Sequence, residues 1–244
     1  MQIAIVLYPG VTALDAVGPY EVLRFLPDCE VRFVSNLAGP VITDSGVLIL
    51  GATHSFEETP RPDIVLVPGS EAETGTAMRD PQLRAWLQAV HQSTRWTTSV
   101  CSGALILAAA GLLDGLPATT HWIAQSTLGR LGAEPCPEQR IVASGKIMTA
   151  AGVSAGIDLA LLLTQEICGE ERAAAVQLMI EYDPQPPSNS GHPLKATAQV
   201  FDAARAEMQQ RAGHKRQYVA PGRRDWEAVL AYVRSTMGKL PPRP

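Results

Sequence analysis

Four short runs limit what this chain can fold into: "QIAIVLY" (Gln2–Tyr8), "EVRFVS" (Glu30–Ser35), "DIVLVPG" (Asp63–Gly69) and "WTTSV" (Trp96–Val100). They are rich in β-branched residues and mostly apolar on both faces, a pattern that suits strands buried between two helical layers. Between them lie helical patterns: "GPYEVLRFL" from Gly18, "DPQLRAWLQAVHQS" from Asp80 and "SGALILAAAGLL" after Cys101. Strand and helix in alternation predict an α/β sandwich with a mostly parallel sheet and helices on both faces. Pro19 behind Gly18 and Pro81 behind Asp80 read as first helical positions, where the missing N–H costs nothing.

Two segments interrupt that rhythm as hairpins. "GPVITDSGVLILGA" turns at Asp44-Ser45-Gly46, and "RIVASGKIMTAAG" turns at Ser144-Gly145. "AGIDLALLLTQEIC" and "ERAAAVQLMIEY" then read as helices separated by Gly169, before "DPQPPSNSGHP" (Asp183–Pro193) changes the composition to that of a loop. Two amphipathic segments follow, Lys195–Arg211 and Arg223–Met237, and Trp226 and Tyr232 of the second, at roughly helical spacing, read as packing residues. The organisation expected is one domain over residues 1–187, with residues 188–244 as a loop and helical C-terminal extension packing on the same domain or across a dimer.

A hydrophobic fraction of 46% over 244 residues is enough to bury a core without disulfide or metal staples. The net charge of −4 and the absence of long Lys/Arg runs, beyond "HKRQ" and "GRRD", give no electrostatic footprint for nucleic acid or an anionic membrane. "MQIAIVLYPG" has no signal-peptide pattern, and no apolar window reaches membrane-spanning length. Cys29, Cys101, Cys136 and Cys168 form no metal-spaced pair, so free thiols in a reducing, cytoplasmic setting are expected, with neither metal nor cofactor.

Cys101 falls between a strand and a helix, at the carboxyl end of the sheet where open α/β folds bind ligands. The helix amino end would stabilise a thiolate there and lower its pKa. Gly103 suits a tight strand-to-helix turn, where a Cβ would crowd the neighbouring backbone. A small apolar residue packing a turn is the alternative for Cys101, and it is the preferred reading for the other three cysteines. Asp15, in the first βα connection, is a candidate acid/base, against the plainer reading of a capping residue. Glu21, read at the third helical position, is mainly a helix-dipole partner. Backbone N–H groups of Gly69 and Ser70 are candidates for an oxyanion nest beside the sulfur. His121 in "ATTHW" is a further candidate base, or a satisfied structural histidine.

"LDAVGPYEVL", "DIVLVPG", "TSVCSGALILAAAGLLDG", "ATTHW" and "AGVSAGIDLAL" together resemble the DJ-1/PfpI superfamily in order and spacing. That resemblance implies a flavodoxin-like sandwich, a nucleophile elbow at Cys101 and a homodimer acting on a small molecule. Within the superfamily the chain looks most like the isocyanide (isonitrile) hydratases, on Asp15 in "LDAVGP", "SVCSG", "ATTHW" and "QLMIEYDPQPP". The resemblance implies Cys101 as nucleophile and Asp15 as its assistant, with hydration proceeding through a thioimidate. Ser102 stands where threonine is usual and keeps the hydroxyl; Ser70 stands where a second glycine is common; "TAAG" (Thr149–Gly152) departs from a glycine-rich stretch.

Other readings remain beside it. Glutamine amidotransferases need a His-x-Glu pair, which none of the five histidines provides, and PfpI-type peptidases place histidine where Ser102 stands. A DJ-1-like glyoxalase or deglycase acting on small α-oxoaldehydes could use the same cysteine, and so could a non-catalytic redox or ligand sensor. A regulator with a paired helix-turn-helix module is disfavoured by the 51 residues from Leu194 to Pro244 and by the acidic charge balance.

Overall fold

The computed structural model describes residues 1–212 and, beyond them, Trp226, Glu227, Leu230, Ala231, Arg234 and Ser235. The basic clusters and Tyr232, read from sequence as a packing residue, lie outside the described residues.

The chain opens with β1 (Gln2–Val6), α1 (Ala13–Leu23) and β2 (Glu30–Ser35), then the ribbon β3 (Gly39–Ile42) and β4 (Ile49–Ala52), and the short β5 (His54–Ser55). β6 (Ile64–Val67), α2 (Thr74–Arg79), α3 (Pro81–His91), β7 (Trp96–Val100) and α4 (Gly103–Ala109) follow. Next come β8 (Pro117–Ala118), α5 (Gln125–Arg130), β9 (Glu134–Pro135), β10 (Ile141–Ser144) and β11 (Ile147–Ala150). The helices α6 (Ala155–Cys168), α7 (Glu170–Met179) and α8 (Ala198–Ala212) complete the described order. None of the described helices is long and apolar enough to cross a membrane.

The main sheet runs β10-β11-β7-β6-β1-β2-β5, parallel throughout except for β10 at one edge. β6 is buried along its whole length and β1 over all but its first residue, as both-face apolar runs require. Strand order reverses between β1 and β6: the chain leaves β1 for β2 on one side and returns for β6 on the other. A crevice therefore opens outside the carboxyl ends of these strands. The Ser144-Gly145 turn forms as read, but its ribbon does more than decorate the sheet, because β11 pairs parallel with β7 and becomes an interior strand.

Local signals fix some helix starts and mislead at others. Asp80 caps α3 by accepting from Gln82 N (2.9 Å) and Leu83 N (3.2 Å), with Pro81 in the first turn. The apolar face Leu83, Trp86, Leu87 and Val90 then enters the core at helical spacing. Pro19 corrects the expectation: α1 begins at Ala13, so Pro19 lies inside the helix and Glu21 lies in its last turns rather than at a third position. Pro19 lacks the N–H that would bond the Asp15 carbonyl, and its ring instead lies where a Cβ on Gly156 would come within 2.9 Å. Close packing of α1 on α6 thus outweighs the local preference.

Leu107 on α4 is fully buried in the core behind the elbow. Leu107→Ala should cost about 2–5 kcal/mol in urea denaturation, whereas Val47→Ala, at an 88% exposed position, should stay within about 0.5 kcal/mol of wild type.

Candidate active site

Cys101 follows the last residue of β7 and adopts φ +58°, a left-handed conformation that costs a non-glycine residue about 1–3 kcal/mol. The surroundings impose it. Its N–H is shared between the carbonyls of Ala150 (3.1 Å) and Ala151 (3.0 Å), and Thr120 Oγ1 donates to its carbonyl at 2.7 Å. The turn also presses against β6, since a Cβ on Gly103 would lie 2.0 Å from the Val67 carbonyl oxygen. Glycine is therefore required there.

Asp15 reaches the same point from the first turn of α1, with no exposed surface. Its Oδ2 accepts from Gly69 N at 2.9 Å, while the buried Oδ1 has no hydrogen-bond partner among the described residues. Burial pushes the carboxyl up to about 7, with the Gly69 and Cys101 contacts pulling in the opposite direction. Burial also raises the Cys101 thiol above its ordinary value, and the Asp15 charge raises it further; backbone N–H groups of Val153 and Ser102 oppose this. The net shift of the thiol is thus upward, against the lowering that the sequence suggested. α4 has only seven residues, and desolvation plus a neighbouring carboxylate outweigh whatever its amino end supplies.

The Gly69 and Ser70 amides are also placed differently from expectation. Gly69 N–H is bonded to Asp15, and Ser70 N–H to Ser102 Oγ (3.1 Å) and Thr74 Oγ1 (3.2 Å), so neither is free to face the sulfur. Gly69 holds the carboxylate instead, and a Cβ there would fall 2.5 Å from Ser102 Oγ. Ser102 Oγ lies 2.7 Å from Thr74 Oγ1, tying the elbow to α2. Ser70 Oγ donates to the Gly10 carbonyl at 2.6 Å and accepts from Glu73 N, which fixes the loop after β6.

His121 is buried and lines the same cavity as Cys101. Burial lowers it to about 4, so the ring is neutral near pH 7. Nδ1 lies 3.5 Å from the Ile123 N–H it accepts from, which assigns the ring proton to Nε2. A neutral ring offers no imidazolium to hold a thiolate. Glu21 is exposed, pairs with Arg24 at 2.7 Å, and lines a different groove.

Sequence reading missed four contributors. Val153, with φ +28°, turns its N–H to the sulfur. Tyr8 donates to the Pro68 carbonyl at 3.0 Å, and its phenol is raised by burial and by Asp15. Asp44 and Ser45, at the tip of the β3–β4 ribbon, reach the cavity wall, where Asp44 accepts from Thr12 Oγ1 at 2.5 Å. No local motif marks these residues; only tertiary folding brings a hairpin turn to the thiol. The cavity measures about 390 Å³. A buried carboxyl poised near neutrality beside a thiol, with polar and apolar walls, can move a proton to and from a nucleophile.

Residues 1–166 match the DJ-1/PfpI family. The isonitrile hydratase of Pseudomonas putida is 44% identical over 205 residues, 84% of this chain and 89% of that protein. A ThiJ/PfpI family protein from Pseudomonas syringae, known by crystal structure, is 37% identical with a TM-score of 0.81, covering 86% of this chain and 88% of that one. Drosophila melanogaster DJ-1beta, 17% identical with a TM-score of 0.68 over 74% of this chain and 97% of that one, shares the fold.

A carboxyl raised above its ordinary 3.8 makes the folded state hold a proton that the unfolded state releases between about pH 4 and 7. Stability contributed by Asp15 therefore falls as pH rises through that window, and the penalty is complete above it. Asp15→Asn should be more stable than wild type at pH 8, by on the order of a few kcal/mol in chemical denaturation. The gain should shrink toward pH 4; an Asn variant less stable than wild type at pH 8 would contradict this account.

Proposed function

The chain belongs to the DJ-1/PfpI family, and from that premise we propose that it is a cysteine-dependent isonitrile hydratase, a hydro-lyase converting isocyanides to N-substituted formamides. The observation that carries this reading is the buried Asp15 carboxyl set against the Cys101 thiol at a strained elbow. The identity with a named isonitrile hydratase supports the choice of substrate class.

The chemistry follows from the pair. Ionised Asp15 accepts the thiol proton as the sulfur attacks the terminal isocyanide carbon, forming the S–C bond. The thiolate is then made only when an electrophile is at hand, which suits a thiol whose resting form is neutral. Protonated Asp15 returns its proton to that carbon, giving a thioimidate. Water adds to the thioimidate carbon with Asp15 as base. The C–S bond then breaks, one proton goes to nitrogen, and one returns to sulfur. The N–H groups of Val153 and Ser102 hold the sulfur, and Gly69 orients the carboxyl. Ser102 and Ser70 keep the loops in register, and His121 serves as a neutral wall.

Residues 1–187 form the catalytic domain in this reading, with 188–244 as an extension that packs on the same domain or across a dimer. A homodimer is supported by an apolar strip along α1, α6 and α7, where Leu14 and Met179 are exposed beside Val17, Ile157 and Ile180. Light scattering should give twice the chain mass, and a monomer would overturn this part of the reading. A reducing cytoplasm suits the chemistry because it keeps Cys101 as a thiol.

Wild type should make N-cyclohexylformamide from cyclohexyl isocyanide. Cys101→Ala should abolish turnover, and Asp15→Asn should lower it by about 10²–10⁴-fold. kcat/KM should rise with pH to a plateau, with an apparent midpoint near the value of about 7 held by Asp15. Turnover of methylglyoxal alone would replace this reading with the glyoxalase one, and isocyanide turnover surviving Cys101→Ala would remove the cysteine mechanism.

A further inference from the structure

The helix α8 is an odd element by burial: fifteen residues long, with no fully buried side chain. Only Phe201 and Met208 along it are half-buried, and seven residues is two helical turns, so both lie on one face. Phe201 packs its ring against Trp122 at 5.1 Å, and Trp122 lies 5.4 Å from the His121 ring. Met208 and Arg211 line the cavity that holds Cys101. Arg211 meets Glu71 at 3.6 Å, directly after Ser70 in the chain, and Glu207 on its own helix at 2.7 Å. The inner face of the helix is therefore held at one end by tilted ring contacts and at the other by an ion pair, with Met208 between them in the wall of the cavity that holds Cys101.

We propose that α8 is a wall of the active-site pocket and that Met208 sets the size of substituent the pocket accepts. The lining is mixed: Thr12, Asp44, Ser70, Glu71 and Arg211 bring polar or charged groups to the cavity, and Ile123, Val153 and Met208 bring apolar surface. A terminal isocyanide carbon bound at the sulfur must send its nitrogen substituent away from the thiol, and the apolar part of the lining is where a hydrocarbon group gains most on leaving water. A methionine takes no part in proton transfer, and its flexible thioether contacts hydrocarbon of varied shape. It is a specificity residue, distinct from the carboxyl and thiol that do the chemistry. Its choice of substrate rests on the hydratase reading, whereas its position in the wall of the Cys101 cavity does not.

The test uses full-length wild type, Met208→Ala and Met208→Trp with two readouts. The first is the ratio of kcat/KM for cyclohexyl isocyanide to that for methyl isocyanide. It should rise about 5–10-fold in Met208→Ala and fall by a similar factor in Met208→Trp. The second, by mass spectrometry of the Cys101 peptide, compares alkylation by a bulky N-aryl maleimide with alkylation by iodoacetamide, and it should shift in the same directions. Ratios unchanged across the three proteins, with isocyanide still turned over, would overturn the wall and leave the hydratase reading standing. A shifted alkylation ratio in a protein that turns over no isocyanide would support the wall and remove the hydratase reading.

Discussion

A carboxyl group with no exposed surface and a thiol buried beside it govern this molecule. Taking both from water disfavours each charged form, so the pair resists carrying two negative charges and holds its proton into the neutral range. Everything around them supports that arrangement. Gly69 holds the carboxyl from the loop after β6, two carbonyls of the β11 end fix the cysteine backbone in a left-handed turn, and Gly103 lets the turn lie against β6. The sheet's change of direction between β1 and β6 brings these pieces to one place. The stability lost in burying Asp15 is the counterpart of a group whose protonation state is poised for transfer.

Much of this was legible in the sequence because burial on both faces writes itself into composition. The runs that became β2 and β7 match the structure at both ends, and Asp80 with Pro81 marked a helix start that the structure keeps. The elbow, too, was visible as a cysteine and a glycine between a strand and a helix. What failed were inferences that treated one segment alone. Pro19 looked like a helix start, yet its ring is accommodated by Gly156 from a helix more than a hundred residues later. The thiol looked activated by the helix behind it, but desolvation and Asp15 act over the same few ångströms with opposite sign. The Gly69 and Ser70 amides looked free, and only the tertiary contacts with Asp15 and Ser102 show them occupied.

The C-terminal segment shows the same limit from another side. By pattern it was a helical appendage of unassigned use, and Trp226 was read as a packing residue. In the structure the Trp226 ring lies against Gly51, Arg234 donates to the Thr53 carbonyl at 2.7 Å, and α8 lines the cavity through Met208 and Arg211. A segment with little burial of its own can still complete a pocket whose other walls come from the ends of strands, the hairpin turn and the elbow.

The account turns on a thiol kept neutral by burial and by its carboxyl partner until substrate arrives. The most direct measurement is the titration of the Cys101 thiolate, followed by its ultraviolet absorbance or by the rate of Cys101 alkylation against pH, in wild type and in Asp15→Asn. The account predicts a wild-type midpoint above the ordinary thiol value and a lower one in Asp15→Asn, where the opposing charge is gone. A wild-type thiolate already formed well below pH 7, with a midpoint that Asp15→Asn leaves unmoved, would contradict it.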